Sequence, residues 1–142
     1  MRSTAKRISS RERCRTIAVN TGFVIFAHGS SVESANESVR AVTNRFASES
    51  GYPLVEAGFL EFGQPDLVGA VDRLVQRDVT RVFVIPYFLT LGKHLQQDLP
   101  RIIEEISRIY QGIEIRVTEP LDPHPSLSAI LLDRARAALD SE

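Results

Sequence analysis

Four short stretches rich in apolar residues, the first wholly apolar and the last alternating apolar with charged, each followed by a stretch of helical length, constrain this chain more than any other feature. They are Phe23 to Ala27, Leu54 to Leu60, Val79 to Phe88 and Ile113 to Val117. Runs of this length bounded by glycine, proline and polar residues read as strands. Between and after them apolar residues recur at steps of three and four, which places them on one helix face. Val32, Ala35, Val39, Val42 and Phe46 do so in a helix expected from Val32 to Ser48. Leu67, Val71, Leu74 and Val75 do so in the second helix, with Pro65 acceptable in its first turn. Asp98 and Pro100 read as the start of the third, lined by Leu99, Ile103, Ile106 and Tyr110, which leaves Gly92-Lys93-His94 in a loop. Leu127, Ile130, Leu131, Ala135 and Ala138 mark a fourth, amphipathic helix. Pro86 cannot donate to a ladder, so regular pairing should end near it. The order βαβαβαβα predicts a single three-layer α/β domain, flavodoxin-like. It has a four-stranded parallel sheet, right-handed crossovers and helices on both faces.

At 142 residues the chain suits one core. No run of 18 apolar residues is present, so no membrane partner is expected. The single cysteine, Cys14, has no internal disulfide partner, which fits a cytoplasmic setting. The net charge of -1 hides an asymmetry: residues 1–15 carry six basic residues against Glu12, a balance of +5, and the remainder carries -6. Residues 1–20 therefore read as a basic, disordered leader and 21–142 as the folded domain. An acidic folded part repels a phosphate backbone, so no nucleic-acid partner is expected.

In a parallel sheet every strand ends at one edge, and open α/β domains bind ligands there. His28 follows the first strand, Glu61 the second, and His94 lies just beyond the third. Two imidazoles and a carboxylate suit a divalent first-row metal, and a neutral imidazole also accepts protons near pH 7. Each histidine equally suits a capping or hydrogen-bonding role, and Glu61 a solvated loop. Ser30 and Ser31 could cap the first helix. Gly29-Ser30-Ser31 could also cradle an anion at a helix N-terminus, but no dinucleotide or P-loop glycine pattern is present. Phe59 and Phe62 read as core and rim, and His124, between Pro123 and Pro125, as a turn residue.

The combination of motifs resembles the short, single-domain class II chelatases that put cobalt, iron or nickel into sirohydrochlorin. The resemblance rests on His28-Gly29-Ser30 with Asn36 beyond it, Gly58-Phe59-Leu60-Glu61-Phe62, and Val84-Ile85-Pro86-Tyr87-Phe88-Leu89. To these add Gly92-x-His94-x-x-x-Asp98-x-Pro100 and Pro120-Leu121-x-Pro123-His124-Pro125. It implies a chelatase-like domain in which His28 binds metal and accepts a proton and His94 is the second metal ligand. Glu61 matches a catalytic acid. Leu89, Thr90, Leu91, Gly92 and Lys93 match the loop lining the tetrapyrrole pocket, and Gln64 a substrate contact. Gly29 and Ser30 are expected to offer backbone donors to substrate carboxylates. Ser31 and Gln64 depart from the family pattern, standing where arginine and an acidic residue occur. No permanently bound cofactor is implied; the divalent ion (Co2+, Fe2+ or Ni2+) is a substrate, cobalt favoured and iron next. The organic partner would be a sirohydrochlorin-like tetrapyrrole, and a homodimer would supply its second wall. The competing readings are a metal carrier or sensor without catalysis, and a flavodoxin-like binding module with structural histidines.

Overall fold

The computed structural model describes residues 20–142, so the leader expected over residues 1–20 lies outside it but for its last residue. Strand β1 spans Thr21–Ala27, α1 Glu33–Ser50, β2 Val55–Phe59 and α2 Leu67–Val75. Then follow β3 Arg81–Pro86, α3 Lys93–Ile109, β4 Glu114–Val117 and α4 Ser126–Asp140. The sheet order is β2-β1-β3-β4, all parallel. The alternation of strand and helix runs thus yields the expected architecture, and β3 does end at Pro86.

Strand periodicity sorts the residues between two faces. Val24 and Phe26 of β1 and Val82 and Val84 of β3 point to one side. There they meet Leu67, Ala70, Val71 and Leu74 of α2 and Leu95, Leu99 and Ile106 of α3. Ala27, Ala57 and Phe59 point to the other, against Val39 of α1. Phe23 stacks on Phe83 and meets Phe46 of α1 edge-on.

Three helix readings are corrected. In α1 the buried residues are Asn36 and Thr43, while Val32 is 59 % and Val42 37 % exposed. Asn36 turns inward to bond the loop after β1, and Arg40 lies over the Phe59 ring, so polar residues share the inward face with Val39 and Phe46, while Val32, Ala35 and Val42 fall outside it. Helix α2 starts after Pro65, because the Asp66 carboxylate accepts from Gly69 N at 2.8 Å as its N-cap. Helix α3 starts at Lys93, not near Asp98, so Lys93 and His94 occupy its first turn rather than a loop. Burial of Leu95 and Leu99 outweighs the proline signal. Pro100 is exposed, so water can satisfy the Gln96 carbonyl that it leaves unpaired.

Candidate active site

The end of β1 is held on both sides. Leu60 N donates to Ala27 O and Glu61 N to His28 O, while Tyr87 N donates to Phe26 O. The backbone pairing thus runs past the strands and sets His28 and Glu61 side by side. Gly29 has φ 87, and a Cβ there would lie 1.7 Å from the Glu61 carbonyl oxygen. Only glycine allows that approach.

Asn36 fixes the next residue. Its Oδ1 accepts from Ser30 N at 2.9 Å and its Nδ2 donates to Ser30 O at 2.8 Å, with the side chain 1 % exposed. Ser30 Oγ accepts from Val32 N, and the helix N-cap, Val32, has no side-chain cap. The capping expected of Ser30 and Ser31 is therefore replaced by a clamp from inside the helix. Glu33 also accepts from Asn36 and from Arg40, bonds that hold its carboxyl below the usual range.

His28 is exposed, with its ring edge-on to Phe88 at 6.4 Å. Its Nδ1 lies 3.1 Å from the Gly29 carbonyl oxygen. A carbonyl only accepts, so this contact puts the proton on Nδ1 and leaves the lone pair on Nε2. Nε2 stands 3.4 Å from Glu61 Oε1. In that tautomer Nε2 is the ring atom able to take a metal cation, with the Glu61 carboxylate beside it.

His28 and His94 line one open cavity of about 270 Å³, with Leu60, Phe88, Gly92, Lys93, Leu95 and Asp98 completing its wall. Two imidazoles 66 positions apart in sequence are thus brought to one edge by β1 and the first turn of α3. Among the described residues no group of three or more His, Cys, Asp or Glu side chains stands ready to enclose a metal.

The other expected residues divide. Gly92 and Lys93 line this cavity. Leu89 and Thr90 are exposed on the approach to it, and Leu91 packs back against the core. Gln64 lies elsewhere, in a groove with Arg40, Glu56 and Arg73, its carbonyl accepting from Arg40. Leu60, Phe88, Leu95 and Asp98 were not assigned to the wall from sequence. Asp98 read as a helix-start signal; its position one turn beyond His94 becomes visible only once α3 begins at Lys93. Phe62 is 67 % exposed beside Glu61, and Phe59 is core, as the rim-and-core reading expected.

The CbiX family model matches residues 22–138. The sirohydrochlorin ferrochelatase of Arabidopsis thaliana chloroplasts is 32% identical over 118 residues, covering 83% of this chain and 52% of that protein. The chain thus spans about half the plant relative's length. The sirohydrochlorin cobaltochelatase of Sulfurisphaera tokodaii is 29% identical over 120 residues, covering 84% of this chain and 95% of that one. Among solved structures, the CbiX protein of Marinobacter aquaeolei VT8 superposes with a TM-score of 0.75 at 26% identity, over 86% of this chain and 99% of that chain.

Proposed function

This chain belongs to the CbiX family, and from that premise we propose that it inserts a divalent metal into sirohydrochlorin or a related tetrapyrrole, cobalt favoured and iron next. The observation that carries the proposal is the shared cavity of His28 and His94 at the carboxyl edge of the sheet.

Insertion replaces two pyrrole N–H protons by one metal ion, so the site must hold the ion, release it and take up protons. Two imidazoles with water completing the shell form an open site that can give the metal up; a closed tetrahedral set would retain it. In this reading His94 and His28 Nε2 hold the ion. As it passes to the ring nitrogens, Nε2 becomes free to accept the two pyrrole protons in succession, each leaving for solvent before the next is taken. Glu61, 3.4 Å away, stabilises the imidazolium so formed and offers the proton a way to solvent. The Lys93 side chain and the backbone N–H groups of Gly29, Gly92 and Lys93 receive carboxylates on the macrocycle rim, whereas the Ser30 N–H, expected to do so, is already taken by Asn36 Oδ1. Phe88 and the exposed Phe62 offer apolar surface to the ring.

A cavity of about 270 Å³ falls below the range of roughly 300–1,000 Å³ that encloses a drug-sized ligand, and a macrocycle is larger still. One chain thus offers one wall, and a second copy would supply the other.

The test is an insertion assay on sirohydrochlorin with cobalt, iron and nickel in parallel, read by the shift in absorption. The parent is expected to insert cobalt or iron, and His94→Ala to lose insertion while keeping its circular dichroism spectrum. Insertion by that variant at the parent rate would remove His94 from the mechanism. Tight metal binding without turnover in the parent would leave a metal carrier instead.

A further inference from the structure

His28 and Glu61 stand on two different loops, and one face of α1 reaches from the first loop to the second. Glu33, Asn36, Glu37 and Arg40 follow one another along that face at steps that bring helix side chains together. Asn36 holds both backbone groups of Ser30, just after His28. Its Nδ2 also donates to Glu33 Oε2 at 3.2 Å. Arg40 Nη1 donates to Glu33 Oε1 at 2.7 Å and to Glu37. Arg40 Nη2 donates to the Gln64 carbonyl oxygen at 3.0 Å, in the loop that carries Glu61. An unbroken path of hydrogen bonds therefore runs Ser30–Asn36–Glu33–Arg40–Gln64.

The mechanism above uses neither Arg40 nor Glu33. Arg40 lines the groove with Glu56 and Arg73 and not the cavity of the two histidines. Exposed ion pairs add little to stability. What the guanidinium supplies is geometry: its planar fork commits one terminal nitrogen to α1 and the other to the loop after β2.

That second loop needs a hold from outside. Phe62 has φ 63, a left-handed backbone that a bulky residue keeps only where its surroundings impose it. Gly63 N donates to Glu61 O, and a Cβ on Gly63 would lie 2.5 Å from the Phe59 ring, so the turn is pressed against that ring. The Arg40 guanidinium lies over the same ring, 5.2 Å from its centre. Arg40 thus grips the strained turn at Phe59 before Glu61 and at Gln64 after it.

We propose that Arg40 is a positioning residue for metal insertion. Through Phe59 and Gln64 it fixes the Glu61 loop, and through Glu33 and Asn36 it locks that loop to the one carrying His28. The lock keeps His28 Nε2 and Glu61 Oε1 at their 3.4 Å separation. Arg40 itself touches neither metal nor macrocycle. The inference rests on the chelatase reading given above.

The test is the insertion assay with Arg40→Ala and Arg40→Lys, and with Arg40→Ala combined with Glu61→Gln. Arg40 is partly exposed, so the fold should persist, as circular dichroism can check. Arg40→Ala is expected to lower kcat roughly tenfold with KM little changed, since a small misplacement of reacting groups is costly. Arg40→Lys, able to keep one hold but not both, should recover part of the rate. Glu33→Gln, which leaves one accepting oxygen where two are used, should lose rate in the same way but less. Where Glu61→Gln has already removed the carboxylate, Arg40→Ala should cost nothing further. A full-rate Arg40→Ala, a loss confined to KM, or an equal loss in both backgrounds would overturn the proposal.

Ring-nitrogen NMR of the histidines in the metal-free proteins separates this inference from the reading beneath it. Arg40→Ala should move the His28 signals in the parent and leave them in place in Glu61→Gln. That pattern in a parent that inserts no metal would uphold the lock and reject the chelatase reading. His28 signals unmoved by Arg40→Ala would overturn the lock in an active parent and in an inactive one alike.

Discussion

Among single residues, Asn36 shows how a buried polar side chain can govern a site it does not line. It satisfies both backbone groups of Ser30 from within α1, and so sets the turn that carries His28 and Gly29. Asn36→Ala would leave those groups unpaired in a half-buried place, at a cost of about 1 kcal/mol, readable as a lower urea midpoint. An unchanged midpoint would show the turn to be held by Gly29 and the Glu61 backbone instead. The tautomer of His28 follows from equally local causes: the Gly29 carbonyl claims Nδ1, so Nε2 faces Glu61 with its lone pair. The identity of His28, Glu61 and His94 as candidates was legible in the sequence, because each follows a strand run. Their chemical division of labour was not, since it depends on which ring atom meets which acceptor.

At the level of elements, α2 and α3 are joined where α3 ends. The Tyr110 hydroxyl donates to Asp72 Oδ1 at 2.7 Å. Burial pushes this phenol up to about 12, with the Asp72 carboxylate adding to the shift. The fold thus favours the protonated phenol. The resulting stabilisation is complete below the ordinary value of 10.0 and is lost as pH rises through about 12. The parent's thermal midpoint should therefore fall more steeply across that interval than that of Tyr110→Phe; equal slopes would deny the pair any role. Strand β1 was legible because a buried parallel strand is written as an uninterrupted apolar run, and the edge strand β4 because its apolar and charged residues alternate. Helix faces and starts were less so. In α1 Asn36, Arg40 and Thr43 share the inward positions with Val39 and Phe46, and hydrophobic spacing skips those three. In α3 the proline at 100 looked like a first turn, yet the exposed side of a helix interior accommodates it.

Over the whole molecule, the topology does what spacing along the chain does not: it turns a separation of 66 residues between His28 and His94 into a shared cavity. The order β2-β1-β3-β4 makes β1 and β3 neighbours, so whatever follows them meets at one edge. The outward course of α4 was illegible for the opposite reason. Its amphipathic spacing announces a buried face, yet none of its residues is buried. The account stands on the two imidazoles holding one ion, and a cobalt(II) titration of the parent, His28→Ala, His94→Ala and the double variant, followed by visible absorption of the metal, tests this most directly. One ion per chain in the parent is expected, with binding roughly tenfold weaker or more in each single variant and losses that do not add in the double. Two ions per chain, additive losses, or unchanged binding in either single variant would contradict it.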